Sequence, residues 1–332
     1  MLIFEPGFSG IQWWRSRGEG DVEKGFISAT DEMIALIDNQ EEAVAYVLPN
    51  GGAAFTDEMT RVSPESISWA EQAVPIYRDP NQRIVDLAKI GFSTRPSLTQ
   101  VWLCDTAFFC GLPIYTRAFA LPWEYFNLGI MRFGGDGFFH RWAWEASRSL
   151  RSPGKIVSLH LGDTPNTAAI QSGSQPRVVE TSFGFSPLAT IPSRTGSGEI
   201  DPNAILLLLH EGWEVKEVES MVTQQSGIRA LLGSRGGWND VMDLAGKGVE
   251  RAVMAYRILL QQVVKSVGSC LAALGGAEVI LIAGEEIDRS SKFVDAIRQG
   301  LEFTKIKIEV MDYDRGAELE KTIRNFIQHQ TS

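Results

Sequence analysis

No apolar run in this sequence is long enough to cross a bilayer; the longest, such as 204–209 and 279–283, fall far short of the ~20 residues required. There is no basic tract either. Lys plus Arg number 31 against 41 Asp plus Glu, a net charge of −10, so the positive footprint that nucleic acid or an anionic membrane needs is missing. Cysteine is scarce. Cys104, Cys110 and Cys270 are odd in number and sit in apolar runs, which argues against a disulfide framework and predicts reduced core thiols in the cytoplasm. The four histidines, His140, His160, His210 and His329, are nowhere at metal-ligand spacing. The opening MLIFEPGFSG has neither the basic start nor the apolar stretch of a secretion signal. Walker, GxGxxG, CxxC, HExxH and GxSxG patterns are all missing, and no 20–50-residue repeat suggests a solenoid.

What is present is ordinary globular material. The 332 residues, 44% hydrophobic and 22% charged, correspond to about two domains. Leu2-Ile3-Phe4, Pro6-Gly7 and the run 11–14 read as strand, tight turn and strand. Helical spacing covers 31–38 and 64–76, buried-strand runs occupy 44–48 and 101–104, and a helix starts at Pro122. The polar stretch 147–154 (SRSLRSPG) is the candidate boundary, dividing 1–150 from 151–332. Beyond it come strands at 155–160, 168–171 and 177–181. Asp201 then caps a helix through Leu209, and a long helix spans 248–274 until Gly275-Gly276 stops it. Strands at 279–283 and 305–310 and a helix at 317–329 close the chain. Each half thus carries hairpin strands followed by helix–strand units: an α/β protein of two domains around a cleft.

The spacing alone offers two glycine-bearing turns after strands, at 7–10 and 162–164. Turns of this kind present backbone N–H groups to phosphate, or simply connect hairpins.

Seven segments in order carry more. VWLCDTAFF (101–109), ALPWEYFNLGIMRFG (120–134), VSLHLGD (157–163), ETSFGFSPL (180–188), GSGEIDP (196–202), SGIRALLG (226–233) and AGEEIDRSS (283–291) resemble the acetate kinase family almost end to end. The resemblance implies the actin-like ATPase (ribonuclease H-like) fold, duplicated α/β domains around a central cleft. It also implies dimers, with the last helix packing back on the first domain. The family's reaction moves the γ-phosphoryl of ATP, with Mg²⁺, to a short-chain carboxylate.

Matched residue by residue, the resemblance assigns catalytic roles to Asp105 and His160, and a wall of the acyl pocket to Pro187, with His140 also on the substrate side. Gly162, Asp163, Trp238, Asn239, Asp240 and Gly284 fall on nucleotide-binding segments, and Asp288 is the nearest counterpart of the metal-side glutamate. The departures concentrate where charge matters. The two catalytic arginines fall on Val47 and Gly196, and Arg194 lies two residues from the second. Glu5 replaces the Asn of the first phosphate turn, Gln12 a Lys, Asp136 a His, and Asp163-Thr164 the Asn-Gly of the second turn. One phosphate-facing arginine contributes ~10³–10⁵ in rate, so the expectation is a homologue with weak or no kinase activity that binds a ligand or protein partner. Two alternatives stay open. One is an active carboxylate phosphotransferase with cations relocated to Arg194, Arg132, Arg141 or Arg289. The other is a purely structural protein whose cleft Trp238 and Ile287 close. Asp163, Glu285 and Glu286 form either a new cation site or solvated turns, and Phe138, Phe139, Trp142 and Trp144 either a ligand wall or core.

Overall fold

The computed structural model describes residues 1–7, 10–16, 22–27, 32, 36–37, 41–151, 153–233, 236–285 and 292–330. Eleven strands are found among them, in two sheets. The first contains β1 (Leu2–Pro6), β2 (Ile11–Ser16), β3 (Val22–Ile27), β4 (Ala43–Leu48), β5 (Met59–Arg61) and β6 (Thr99–Cys104), in the order β3-β2-β1-β4-β6-β5. The second contains β7 (Lys155–His160), β8 (Asn166–Gln171), β9 (Arg177–Thr181), β10 (Val279–Ala283) and β11 (Lys307–Val310), in the order β11-β10-β7-β8-β9. Both sheets follow one plan: three antiparallel strands in hairpin sequence, then two parallel strands on the far side of the first. Among the described residues, the first sheet alone adds an edge strand, β5, antiparallel to β6.

Strand alternation decides where the cores lie. Leu2, Phe4, Val44, Tyr46, Leu48 and Trp102 face one side, against Ile84, Leu87 and Ala88 of the helix Arg78–Thr94. Met1, Ile3, Ala45, Val47, Val101 and Leu103 face the other and pack with Phe138, Leu319 and Ile323. The latter two belong to the closing helix Arg315–Gln330, which therefore follows a strand of the second sheet but packs on the first. Burying a side chain of that size contributes about 1.5–3 kcal/mol. In the second half, Val157, Leu159, Ile280 and Ile282 pack on Val263, Val267 and Cys270 of the long helix Glu250–Leu274.

The helix Gly137–Arg151 lies between the sheets: Phe138 joins the first, while Phe139, Ala143 and Trp144 join clusters of the second. The aromatic run is therefore core, with Trp142 alone half-buried at its edge. This helix also runs into the polar stretch read as a boundary, where Ser147 is buried and donates to the Trp144 carbonyl (2.7 Å). The Asp201 cap is present, accepting from Asn203 N at 2.8 Å. The last strand starts at Lys307 rather than 305, because Lys305 has a left-handed backbone that no strand accommodates (φ 56°). The helix expected over 31–38 lies mostly outside the described residues.

Candidate active site

The carboxyl ends of parallel strands are where open α/β sheets place their ligands. Here they bring together titratable side chains. Glu5 is near the end of β1, Asp105 follows β6, His160 ends β7, Glu285 lies two residues past β10, and Tyr313 and Arg315 follow β11.

Arg315 is the centre of the first group. Its Nε donates to Glu5 Oε1 at 2.6 Å and its Nη2 to Asp105 Oδ2 at 2.9 Å, and Nη2 also contacts the same Glu5 oxygen. Asp105 Oδ1 accepts from the Phe138 backbone N–H at 3.1 Å, fixing it to the start of the central helix. Burial raises the pKa of both Glu5 and Asp105 above the usual carboxylate value, although Arg315 pulls each part of the way down. Burial works against the charge on Arg315, but Glu5 and Asp105 outweigh it and hold the guanidinium more firmly protonated than usual.

His160 is the centre of the second. Nδ1 lies 2.9 Å from Asp136 Oδ2 and Nε2 lies 3.1 Å from Glu285 Oε2. Both partners are carboxylates, so both ring nitrogens donate and the ring is an imidazolium. Burial lowers its pKa, but the two carboxylates push it up to about 10. Burial likewise raises Asp136 and Glu285, and the imidazolium more than reverses this, leaving both below the usual carboxylate range. Phe139 stacks on the ring at 4.3 Å.

Glycine matters at two points. A Cβ on Gly162 would sit 2.7 Å from Glu285 Oε2 and from His160 Nε2, so Glu285 already lies across the backbone of the second expected phosphate turn. A Cβ on Gly284, at φ 153°, would meet the Leu161 carbonyl at 2.3 Å; this close approach lets the end of β10 reach that turn.

The other expected residues are scattered by role. His140 is fully buried, with Nδ1 2.7 Å from Ser158 Oγ and Nε2 2.6 Å from Asn166 Oδ1. Arg194 and Asp163 are exposed and paired at 3.3 Å. Trp238 is buried against Phe293 in the second core rather than lying across a cleft, and Asp240 caps its own helix through Gly237 N (2.8 Å). Asn239 is exposed and Pro187 half-buried. Asp288, with Glu286, Ile287 and Arg289, lies outside the described residues. Arg141 is engaged by Glu58 at 2.8 Å, and Arg132 lies over the Phe119 ring. At the positions matched to the lost arginines, Val47 is sealed inside β4, and a Cβ on Gly196 would meet Ser193 Oγ at 2.8 Å. Asp163 and Glu285 face different partners and do not form a shared cation site.

The sequence reading missed Arg315 altogether, and it missed the pairing of Asp136 and Glu285 through His160. The only local sign of Arg315 was its place just past the strand 307–310, at a strand's carboxyl end.

Neither Mg²⁺ between these carboxylates nor a phosphate on the Gly162 turn fits this arrangement as it stands. Glu5 and Asp105 already share Arg315, Asp136 holds His160 and Asn166, and the open side of Gly162 is covered. Among the described residues, no group of three or more His, Cys, Asp or Glu side chains is placed to hold a metal ion.

The comparisons agree with one another. The Acetokinase family model matches residues 21–332. The acetate kinase of Halothermothrix orenii is 30% identical over 299 residues, 87% of this chain and 74% of its own. That of Thermoanaerobacter pseudethanolicus is 29% identical over 288 residues, 84% of this chain and 71% of its own. Among solved structures, Porphyromonas gingivalis acetate kinase superimposes with a TM-score of 0.84 at 21% identity, covering 98% of this chain and 99% of its own. A Francisella tularensis propionate kinase gives 0.84 at 19%, covering 96% and 97%. These structures share the two-sheet fold, and the family match and sequence identity make the assignment: the chain belongs to the acetokinase family.

Proposed function

We propose that this chain is an acetate kinase-like protein with weak or no carboxylate kinase activity, and that it acts by binding a ligand or a partner. One observation carries the reading. The two cations on the floor of the site, Arg315 and protonated His160, are bound internally by four carboxylates, Glu5, Asp105, Asp136 and Glu285. Phosphoryl transfer depends on cations aimed at the equatorial oxygens. Held in these pairs, both cations are neutralised inside the protein rather than by a transferring phosphoryl group.

In this reading Asp105 and His160 hold the two halves of the site together, and Gly162, Asp163, Gly284 and Pro187 border the ligand space. The halves divide near residue 150. The test is an assay of ATP with acetate and with propionate. Turnover at ordinary kinase rates overturns the proposal in favour of a phosphotransferase that draws on other arginines; loss of that turnover in Arg194→Ala would then show which one.

We further propose a cytoplasmic homodimer. No helix among the described residues is long and apolar enough to cross a membrane. The helix Pro202–His210 has no buried residue, and Leu206, Leu207, Trp213 and Val215 are exposed together in sequence, as a covered face requires. Light scattering is expected to give twice the chain mass, falling to one in Leu206→Glu/Leu207→Glu; a wild-type monomer rejects this part.

A further inference from the structure

Glu5 and Asp105 come from different strands, and their oxygens converge on a single nitrogen, Arg315 Nη2. Carboxylates converge in this way on a shared divalent ion. Two more carboxylates stand close enough to act electrostatically on the same centre: Asp136 on Asp105, and Glu285 under the influence of Arg315. The guanidinium is also not saturated. Its Nη1 is buried without a hydrogen-bond partner among the described residues, and so is the hydroxyl of Tyr313 two residues before it. The two groups are close enough to act on each other electrostatically, and buried polar groups left unmade are costly unless something supplies an acceptor.

We infer that the Arg315 guanidinium is a built-in replacement for a divalent cation, so that the cleft takes an anionic oxygen, from phosphate or carboxylate, at Arg315 Nη1 and Tyr313 Oη without Mg²⁺. A guanidinium suits this role because it keeps its charge at all accessible pH and presents several donors in a fixed plane. Unlike a metal ion, it cannot be removed by chelation. This deepens the reading of a cleft that binds without transferring, and none of its tests reads turnover, so kinase activity and this proposal fail separately.

The test compares Mn²⁺ binding by wild-type chain and Arg315→Gln, followed by the spin signal of free Mn²⁺. Wild type is expected to leave millimolar Mn²⁺ free. Arg315→Gln is expected to bind one equivalent at least about tenfold more tightly, with a thermal midpoint that rises on adding Mn²⁺ while that of the wild type does not. Adding Asp105→Asn should abolish the gain. Equal binding by both chains, or none by the variant, overturns the proposal. If Arg315→Gln is unfolded, saturating Mn²⁺ must restore its near-ultraviolet dichroism, and a variant that stays unfolded also overturns it. Calorimetric titration of the wild type with inorganic phosphate, in chelator and in Mg²⁺, is the second arm. The same affinity in both is expected; a tenfold gain from Mg²⁺, or no heat in either, counts against it.

Discussion

His140 and His160 sit in neighbouring pockets, one on the central helix and the other at the end of β7, and both contact the Phe139 ring. They are 0% and 4% exposed. Their charge states are nevertheless opposite. His140 is held by a hydroxyl and an amide oxygen, so Ser158 donates to Nδ1 and Nε2 donates to Asn166, which is a neutral ring. Burial drives its pKa down to about 4. His160 is held by two carboxylates and stays charged to about pH 10. Equal burial therefore does not decide the charge of a histidine here; the formal charge of its two acceptors does.

The comparison breaks first on stability. His160→Phe leaves Asp136 and Glu285 without their cation and should cost about 3–5 kcal/mol in urea unfolding. His140→Gln keeps an amide for the same partners and should cost only about 1–2 kcal/mol. Equal losses would mean that the two pockets are not electrostatically different.

Next comes pH. The folded pKa of His140, about 4, lies below its ordinary 6.5, so its contribution is present above pH 6.5 and is lost as pH falls through about 4. The folded pKa of His160, about 10, lies above 6.5, so its contribution is complete below pH 6.5 and is lost as pH rises through about 10. Unfolding measured across this range should show both limbs, with His140→Gln shrinking the acid one and leaving the part that the lowered Asp136 and Glu285 carboxyls contribute.

A smaller effect is expected from Asp136→Asn. It removes the nearer carboxylate, so the His160 resonance should titrate at lower pH while His140 stays neutral at pH 7. Glu285→Gln should move His160 least, because the Glu285 side chain is 43% exposed and its charge is screened by solvent. A larger shift from Glu285 than from Asp136 would reverse the ranking.

Much of the scaffold was legible because it is written locally. Short continuous apolar runs gave β4 and β6, the Asp201–Pro202 pair gave a helix start, and Gly275-Gly276 gave the end of the long helix. The site was legible only where a residue could be matched to a resemblance, as with Asp105 and His160. Its partners could not be found from pattern. Arg315 meets Glu5 across 310 residues and His160 meets Glu285 across 125. No period links such positions; only the convergence of strand ends from both sheets does. Trp238 shows the opposite limit. Its segment matched a nucleotide-binding stretch, but the number of neighbours a ring has, Phe293 included, cannot be read from spacing.

The position of the closing helix also bears on how the protein is made. Strands β1 to β6 emerge from the ribosome early, yet one face of their sheet waits for Leu319 and Ile323. At 5–20 residues per second that interval is about 10–40 s. Throughout it the nascent chain displays Ile3, Val47, Val101 and Leu103 with one of their covers not yet synthesised, so that face of the first sheet stays open to aggregation until the last helix arrives.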